Sequence, residues 1–244
     1  MHSFLPIPQE NGMISGGRVG AESGKKMPVI MYFYPASPPC RAAMLVARAV
    51  GVDLNTNHTD ITSGAQLTPD RAIMGYFVNQ YAKDDSLYPK DPKKRAMVDQ
   101  KLYFDIGTLY QRFLNYFVST NLMPIAWKGM KPDAEALEKL EEAVGYLNSY
   151  LEGQGWVAGE DISIADYAIA VTMSNIEVRE RAGRLALVTD LSVQGDLRIV
   201  LPDLSKYKNV EIWSTKAKTA IPHFEEINRP GVNMFKQVYE SKKN

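Results

Sequence analysis

The sequence predicts an α/β unit followed by an all-helical one, and three observations carry that division. A short apolar run, Val29 to Tyr34, leads through Pro35, Ala36 and Ser37 into an Ala-rich helical stretch that opens on Pro38 and Pro39. A second short strand follows within Val52 to Ile61. Beyond a linker spanning Asp84 to Pro92, apolar residues recur every three or four positions, the spacing of amphipathic helices. The chain has 244 residues, enough for one large or two modest domains with a core.

Residues 1–26 contain Pro6, Pro8 and two Gly-rich turns with almost no periodicity, so a disordered extension is expected there. They lack the basic start and long apolar run of a secretory signal. Proline is tolerated at Pro38 and Pro39 because a first helical turn has no intrahelical use for its N–H groups. Ser37 therefore stands at a helix entrance, beside unpaired backbone donors and the positive end of the helix dipole. That place favours an anion such as a thiolate. It is equally the place of an ordinary N-cap, for which serine is a preferred residue.

Arg71 to Tyr81 reads as a helix with Ile73, Phe77 and Tyr81 on one stripe. A long helix is predicted from Lys93 to about Val118, with Tyr103, Ile106, Tyr110, Phe113 and Phe117 as an aromatic stripe. Beside it runs Val98, Leu102, Asp105, Leu109, Arg112 and Tyr116, apolar but for one acid and one base. Pro132 to Leu151 repeats the pattern through Leu137, Leu140, Val144, Leu147 and Leu151. Ser163 followed by Asp166 forms a capping box, with Ile162 and Tyr167 flanking it at staple spacing. From Arg179 to Val200 the helical pattern breaks. It resumes at Leu204, with Asn209 as a cap for a helix ending before Pro222 and a last helix from Met234 to about Tyr239.

Lysine plus arginine number 28 and aspartate plus glutamate number 28, so no net charge draws the chain to nucleic acid or a membrane surface. The single cysteine, Cys40, excludes an intrachain disulfide framework and suits a reducing compartment, so a cytoplasmic protein is expected. No apolar run is long enough for a membrane span. His58 and His223 have no further ligands at metal spacing, so no metal is expected. No phosphate-binding Gly-rich loop or Gly-x-Ser-x-Gly elbow occurs. Ser37-Pro-Pro-Cys40 echoes a redox Cys-x-x-Cys with serine in the attacking position. Cys40 is then either an inert buried thiol or the centre of a thiol oxidoreductase.

The strand, the Ser-Pro-Pro-Cys-Arg run and the Ala-rich helix resemble the start of a cytosolic glutathione transferase, most closely the insect delta and epsilon classes. The Ser163-x-x-Asp166 box resembles the one that opens the central helix of that family's second domain. The resemblance implies a truncated thioredoxin-like domain over residues 27–83, a helical-bundle domain over residues 91–240 and an insertion near residues 179–200. It implies that Ser37 holds glutathione as its thiolate and that Arg71 and His58 help bind glutathione, Arg71 with the assistance of an acid on the long helix. Tyr103, Tyr110, Phe113 and Phe117 would line the pocket for a small apolar electrophile, and the protein would be a homodimer serving detoxification. For the aromatic stripe, helix-bundle core or a dimer contact is the alternative. For Arg71 and Asp105 the alternative is an ordinary interhelical salt bridge.

The sequence departs from the family where Gln66-Leu-Thr-Pro69 runs directly into Asp70-Arg71-Ala-Ile73. The family places there a strand hairpin, a cis-proline and a Glu-Ser or Asp-Ser pair that holds the γ-glutamyl end. Asp70 stands in the serine's place, and its carboxylate would repel one of glutathione. The expected function is glutathione conjugation impaired by this loss, with a non-catalytic apolar-ligand-binding protein as the alternative.

Overall fold

The computed structural model describes residues 29–59, 71–117, 133–177 and 202–240. The expected extension at residues 1–26, the junction of Pro69 with Asp70, and the insertion near residues 179–200 lie outside them.

The first unit is a βαβ crossover. Strand β1 (Val29–Phe33) pairs in parallel with β2 (Leu54–His58), in register from Val29 opposite Leu54 to Phe33 opposite His58. Helix α1 (Pro38–Ala49) connects them. Ala42, Ala43, Ala47 and Cys40 are buried, and the small side chains let neighbouring helices approach closely. The helix stops because Gly51 takes φ +73, a conformation open to glycine. Gly51 N–H then bonds Arg48 O at 3.2 Å and Val52 N–H bonds Ala47 O at 2.8 Å, which satisfies the last carbonyls.

Helix α2 (Ala72–Tyr81) packs beside α1. The linker behind it is held down by Tyr88, whose ring lies 3.0 Å from where a Cβ on Gly75 would be. The Tyr88 hydroxyl bonds Asp99 at 2.8 Å, and Arg95 stacks 4.1 Å above its ring. A larger residue at 75 would push the linker off.

Helix α3 (Pro92–Phe104) is capped by Asp91, which accepts from Lys94 N–H. It does not continue as a regular helix. A π-helical turn (Asp105–Leu109) intervenes before α4 (Tyr110–Phe113). An extra residue in one turn rotates the later part of a helix by about 100° relative to the earlier part. Tyr103 and Ile106 are 74% and 39% exposed, while Phe113 is wholly buried. The continuous aromatic stripe predicted over Tyr103 to Phe117 is therefore broken, and the core-facing row is Val98, Leu102, Asp105, Leu109 and Tyr116.

Helix α5 (Ala134–Tyr150) buries Leu140, Val144 and Leu147, as its periodicity requires. Helix α6 (Ile164–Ile176) is buried along all 13 of its residues. Its capping box is formed: the Asp166 carboxylate accepts from Ser163 N–H at 2.9 Å and from the Ser163 hydroxyl at 3.1 Å. Asp166 also accepts from Val157 N–H at 3.0 Å and Trp213 Nε1 at 2.9 Å. Burial raises its pKa, and these hydrogen bonds oppose the rise.

A short 3₁₀ turn (Leu204–Lys206) leads to α7 (Lys208–Ala220). Asn209 is not the cap expected at this helix. It lies inside the first turn, and Asn148 of α5 caps from outside, its Oδ1 accepting from Asn209 N–H at 3.0 Å. The last helix, α8 (Phe224–Glu240), begins ten residues before the predicted Met234 and runs through Pro230. Among the described residues no helix is long and apolar enough to cross a membrane.

Ser163→Ala should lower stability by about 0.5–2 kcal/mol, the range for a lost N-cap. Asp166→Ala should cost more, about 3 kcal/mol or above, because it leaves the buried Val157 and Trp213 donors unpaired. Calorimetric melting of the two variants beside the parent checks both the sizes and their order.

Candidate active site

The parallel strands end together, and the loop from β1 into α1 rises at their carboxyl edge. Ser37 N–H bonds Tyr34 O at 2.9 Å, which fixes the turn. Ser37 is the N-cap of α1: its backbone is extended, and its Oγ accepts from Cys40 N–H at 3.5 Å. The hydroxyl is half-buried and, among the described residues, donates to nothing. It thus has a hydrogen to give to an anion arriving at the helix mouth. Capping and anion binding are compatible, since the first uses the oxygen lone pair and the second the O–H. His58 closes β2 opposite Phe33, is exposed, and has its ring 6.0 Å from that of Tyr34. The structure therefore brings Ser37 and His58 to the same edge.

Arg71, immediately before α2, is buried and donates through Nε to Asp105 Oδ2 at 2.7 Å, with a second, shorter bond from Nη2. Thr172 of α6 donates to Asp105 Oδ1 at 2.8 Å. The carboxylate is wholly buried, and both its oxygens are used. The π-helical turn begins at Asp105. Arg71 also lies 5.3 Å from the centre of the Tyr110 ring. Its Nη1 is buried and, among the described residues, has no partner. This is a buried pair, not the exposed bridge that would contribute under about 1 kcal/mol.

A second buried guanidinium lies on α1 itself. Arg41 is 1% exposed and donates to Asn175 Oδ1 at 2.8 Å, to Asn228 O at 3.2 Å, to Asn228 Oδ1 and to Ala36 O at 3.4 Å. Asn228 in turn donates to Ser174 Oγ at 2.8 Å. Every acceptor is neutral. Desolvation lowers the Arg41 pKa from its ordinary value to about 9.

The aromatic candidates divide. Tyr110, Phe113 and Phe117 form a row, with ring centres 6.2 Å and 5.0 Å apart along it. Tyr110 and Phe117 are partly buried, Phe113 is completely so, and Tyr103 stands apart on the surface. Burial raises the Tyr110 pKa above its ordinary value, so its hydroxyl is a neutral donor near neutral pH. Cys40 is buried to 1% exposure. Among the described residues no group of three His, Cys, Asp or Glu side chains could hold a metal ion. Arg41, Thr172, Asn175 and Asn228 are not singled out by local sequence pattern. For Thr172 and Asn175 the detectable signal is a polar residue within a helix otherwise apolar on all sides, since such residues must find partners inside the protein.

Residues 111–180 match the family model described as glutathione S-transferase, C-terminal domain. A delta-class glutathione transferase from Nilaparvata lugens is similar at 38% identity with a TM-score of 0.72, the match covering 88% of this chain and 100% of that one. A glutathione transferase from Bombyx mori is similar at 34% identity and a TM-score of 0.72, over 87% of this chain and 98% of that one. A Drosophila mojavensis homologue with bound glutathione matches at 26% identity and a TM-score of 0.67, over 87% and 96%. The βαβ start with a serine at the mouth of α1, joined to a helical domain around a capped and buried α6, accords with these matches. The chain belongs to the glutathione transferase family, among relatives of the insect delta and epsilon classes.

Proposed function

We propose that the protein binds glutathione at the mouth of α1 and presents its sulfur to a small apolar electrophile. The observation that carries this is the Ser37 hydroxyl, held as N-cap at the carboxyl edge of the parallel strands with an O–H free to donate. A free thiol titrates near 8.5, so lowering it by about two units stabilises the thiolate by about 2.7 kcal/mol and makes it the main form at neutral pH. His58 lies at the same edge, where it can meet the peptide. Arg71, oriented by Asp105, supports the site from the start of α2. The apolar partner is held near Tyr110 and Phe117, with Phe113 backing them from the core. Tyr103 is too exposed for a pocket wall. With Met97 and Ile106 it offers apolar surface to a second subunit of a homodimer. Such a protein would serve detoxification in the cytoplasm.

The sequence between Thr59 and Arg71 is too short for the family's hairpin and γ-glutamyl cradle. Each lost contact set costs about 1.5–3 kcal/mol, the level of hydrogen bonds to charged groups. Affinity for glutathione should therefore be lower than in an intact relative by roughly a hundred- to ten-thousandfold. A protein that kept only an apolar site would bind hydrophobic dyes and no glutathione at all. The oxidoreductase reading has little support, because an attacking thiolate must be accessible and Cys40 is not.

Ser37→Ala should reduce conjugation of 1-chloro-2,4-dinitrobenzene by about ten- to a hundredfold, the worth of one charge-assisted hydrogen bond, and lower stability by no more than the roughly 0.5–2 kcal/mol of a lost N-cap, so that the protein stays folded. An unchanged rate would remove Ser37 from the mechanism. Cys40→Ser should cost little activity, and a large loss would favour the oxidoreductase. Calorimetric titration with glutathione should return a constant well above the micromolar range, and a micromolar one would show that another segment rebuilds the cradle.

A further inference from the structure

Among the described residues, Arg41 is a buried cation without a counter-ion. Its four hydrogen-bond acceptors are two backbone carbonyls and two asparagine amides. Among the described residues its Nε has no acceptor. Among the described residues no carboxylate is bonded to it. An isolated buried charge is costly, and proteins ordinarily neutralise it with a partner. The neighbouring guanidinium shows the ordinary solution, because Arg71 has Asp105. If filling space were the only requirement at Arg41, an uncharged side chain would meet it at lower cost.

The surroundings tie this charge to the site. Arg41 is one helical turn from Ser37, and its N–H bonds Ser37 O at 3.2 Å. Its guanidinium bonds Ala36 O, the residue before Ser37, and so holds the loop that presents the hydroxyl. Helix α8 closes the other side. A Cβ on Gly231 would collide with Pro35 O and sit 2.7 Å from Arg41 Nε, so only glycine admits this approach. From α6 the groups facing Arg41 are Asn175 and, through Asn228, Ser174. From α8 it is Asn228, while Glu225 pairs with Arg229 and Glu226 with His223 at the surface. Glu177, just past α6, is taken by Lys218 and Ser214. The titratable groups whose charge would act on Arg41 are Tyr110 and Cys40, and neither is a carboxylate.

We infer that the missing counter-ion is the substrate: Arg41 is a positioning residue whose uncompensated charge, one turn below Ser37, favours the thiolate of bound glutathione over the thiol. This deepens the reading of Ser37 and rests on it. Ser37 supplies the hydrogen bond to the sulfur, and Arg41 supplies the net charge that makes the site prefer an anion. Asn175 and Asn228 hold that charge by hydrogen bonds without cancelling it, which an aspartate at either position would do.

The test is therefore Asn228→Asp. The new carboxylate accepts from Arg41 as the amide oxygen did, and the Ser174 hydroxyl turns to donate to it, so the fold is kept. Melting temperature should equal or exceed that of the parent. The pKa governing kcat against pH should rise by about one unit. Affinity for glutathione at pH 7 should fall about tenfold, while affinity for S-methylglutathione, which has no thiolate, should change less than twofold. Arg41→Lys, which keeps the charge, should retain more thiol acidity than Arg41→Met. If Asn228→Asp matches the parent for both ligands and in its pH profile, or weakens both ligands equally, Arg41 is only a structural brace and the inference is overturned. If the parent protein binds neither ligand, the glutathione reading of the Ser37 site falls, and this inference with it.

Discussion

Helix α6 is buried on every side, so each polar group it carries must be satisfied by the protein, and this requirement organises both the core and the site. An exposed helix hands such groups to water. Here Asp166 at its start gathers Ser163, Val157 and Trp213, which joins the helix to the preceding turn and to α7. Thr172 in its middle reaches Asp105. Asn175 near its end reaches Arg41. Three polar side chains on one apolar helix thus link the helical domain to itself, to the long helix and to α1.

The two guanidiniums that meet these groups are treated differently. Arg71 is neutralised by Asp105, and the pair is satisfied further by Thr172. That arrangement fixes position while adding no net charge. Arg41 is solvated only by neutral oxygens, so its charge persists in a medium where fields are weakly screened. One buried pair therefore provides rigidity, and one buried unpaired cation provides a potential. Both lie near Tyr110, which faces the charges of the first domain from the second.

The π-helical turn at Asp105 to Leu109 has a comparable consequence. It lets Asp105 face inward toward Arg71 and Thr172. Tyr103, which precedes the turn and sits one position past the core-facing Leu102, points to the surface. Such turns recur at functional sites because they re-aim side chains within an otherwise regular helix.

The elements themselves were legible because their causes are local. Prolines at a helix mouth, glycine after a helix end, a three-and-four apolar spacing and a Ser-x-x-Asp box act within a few residues, and β1, α1, α2, α5 and the start of α6 result from them. Ser37 as the N-cap of α1 is of this kind. Cases in which distant residues compete were not legible. Asn209 looked like a cap because nothing nearby announced Asn148. The packing of α8 on α1 depends on Gly231 meeting Pro35 and Arg41, a contact between opposite ends of the chain. Nothing local marks the burial of Arg41, since only packing among α1, α6 and α8 removes water from it. Local chemistry along the chain was enough to set the order of elements and to place a serine at the mouth of the first helix. Which charges are buried, and which of those are cancelled, emerged only from the packed molecule, because desolvation and pairing depend on neighbours far away along the chain.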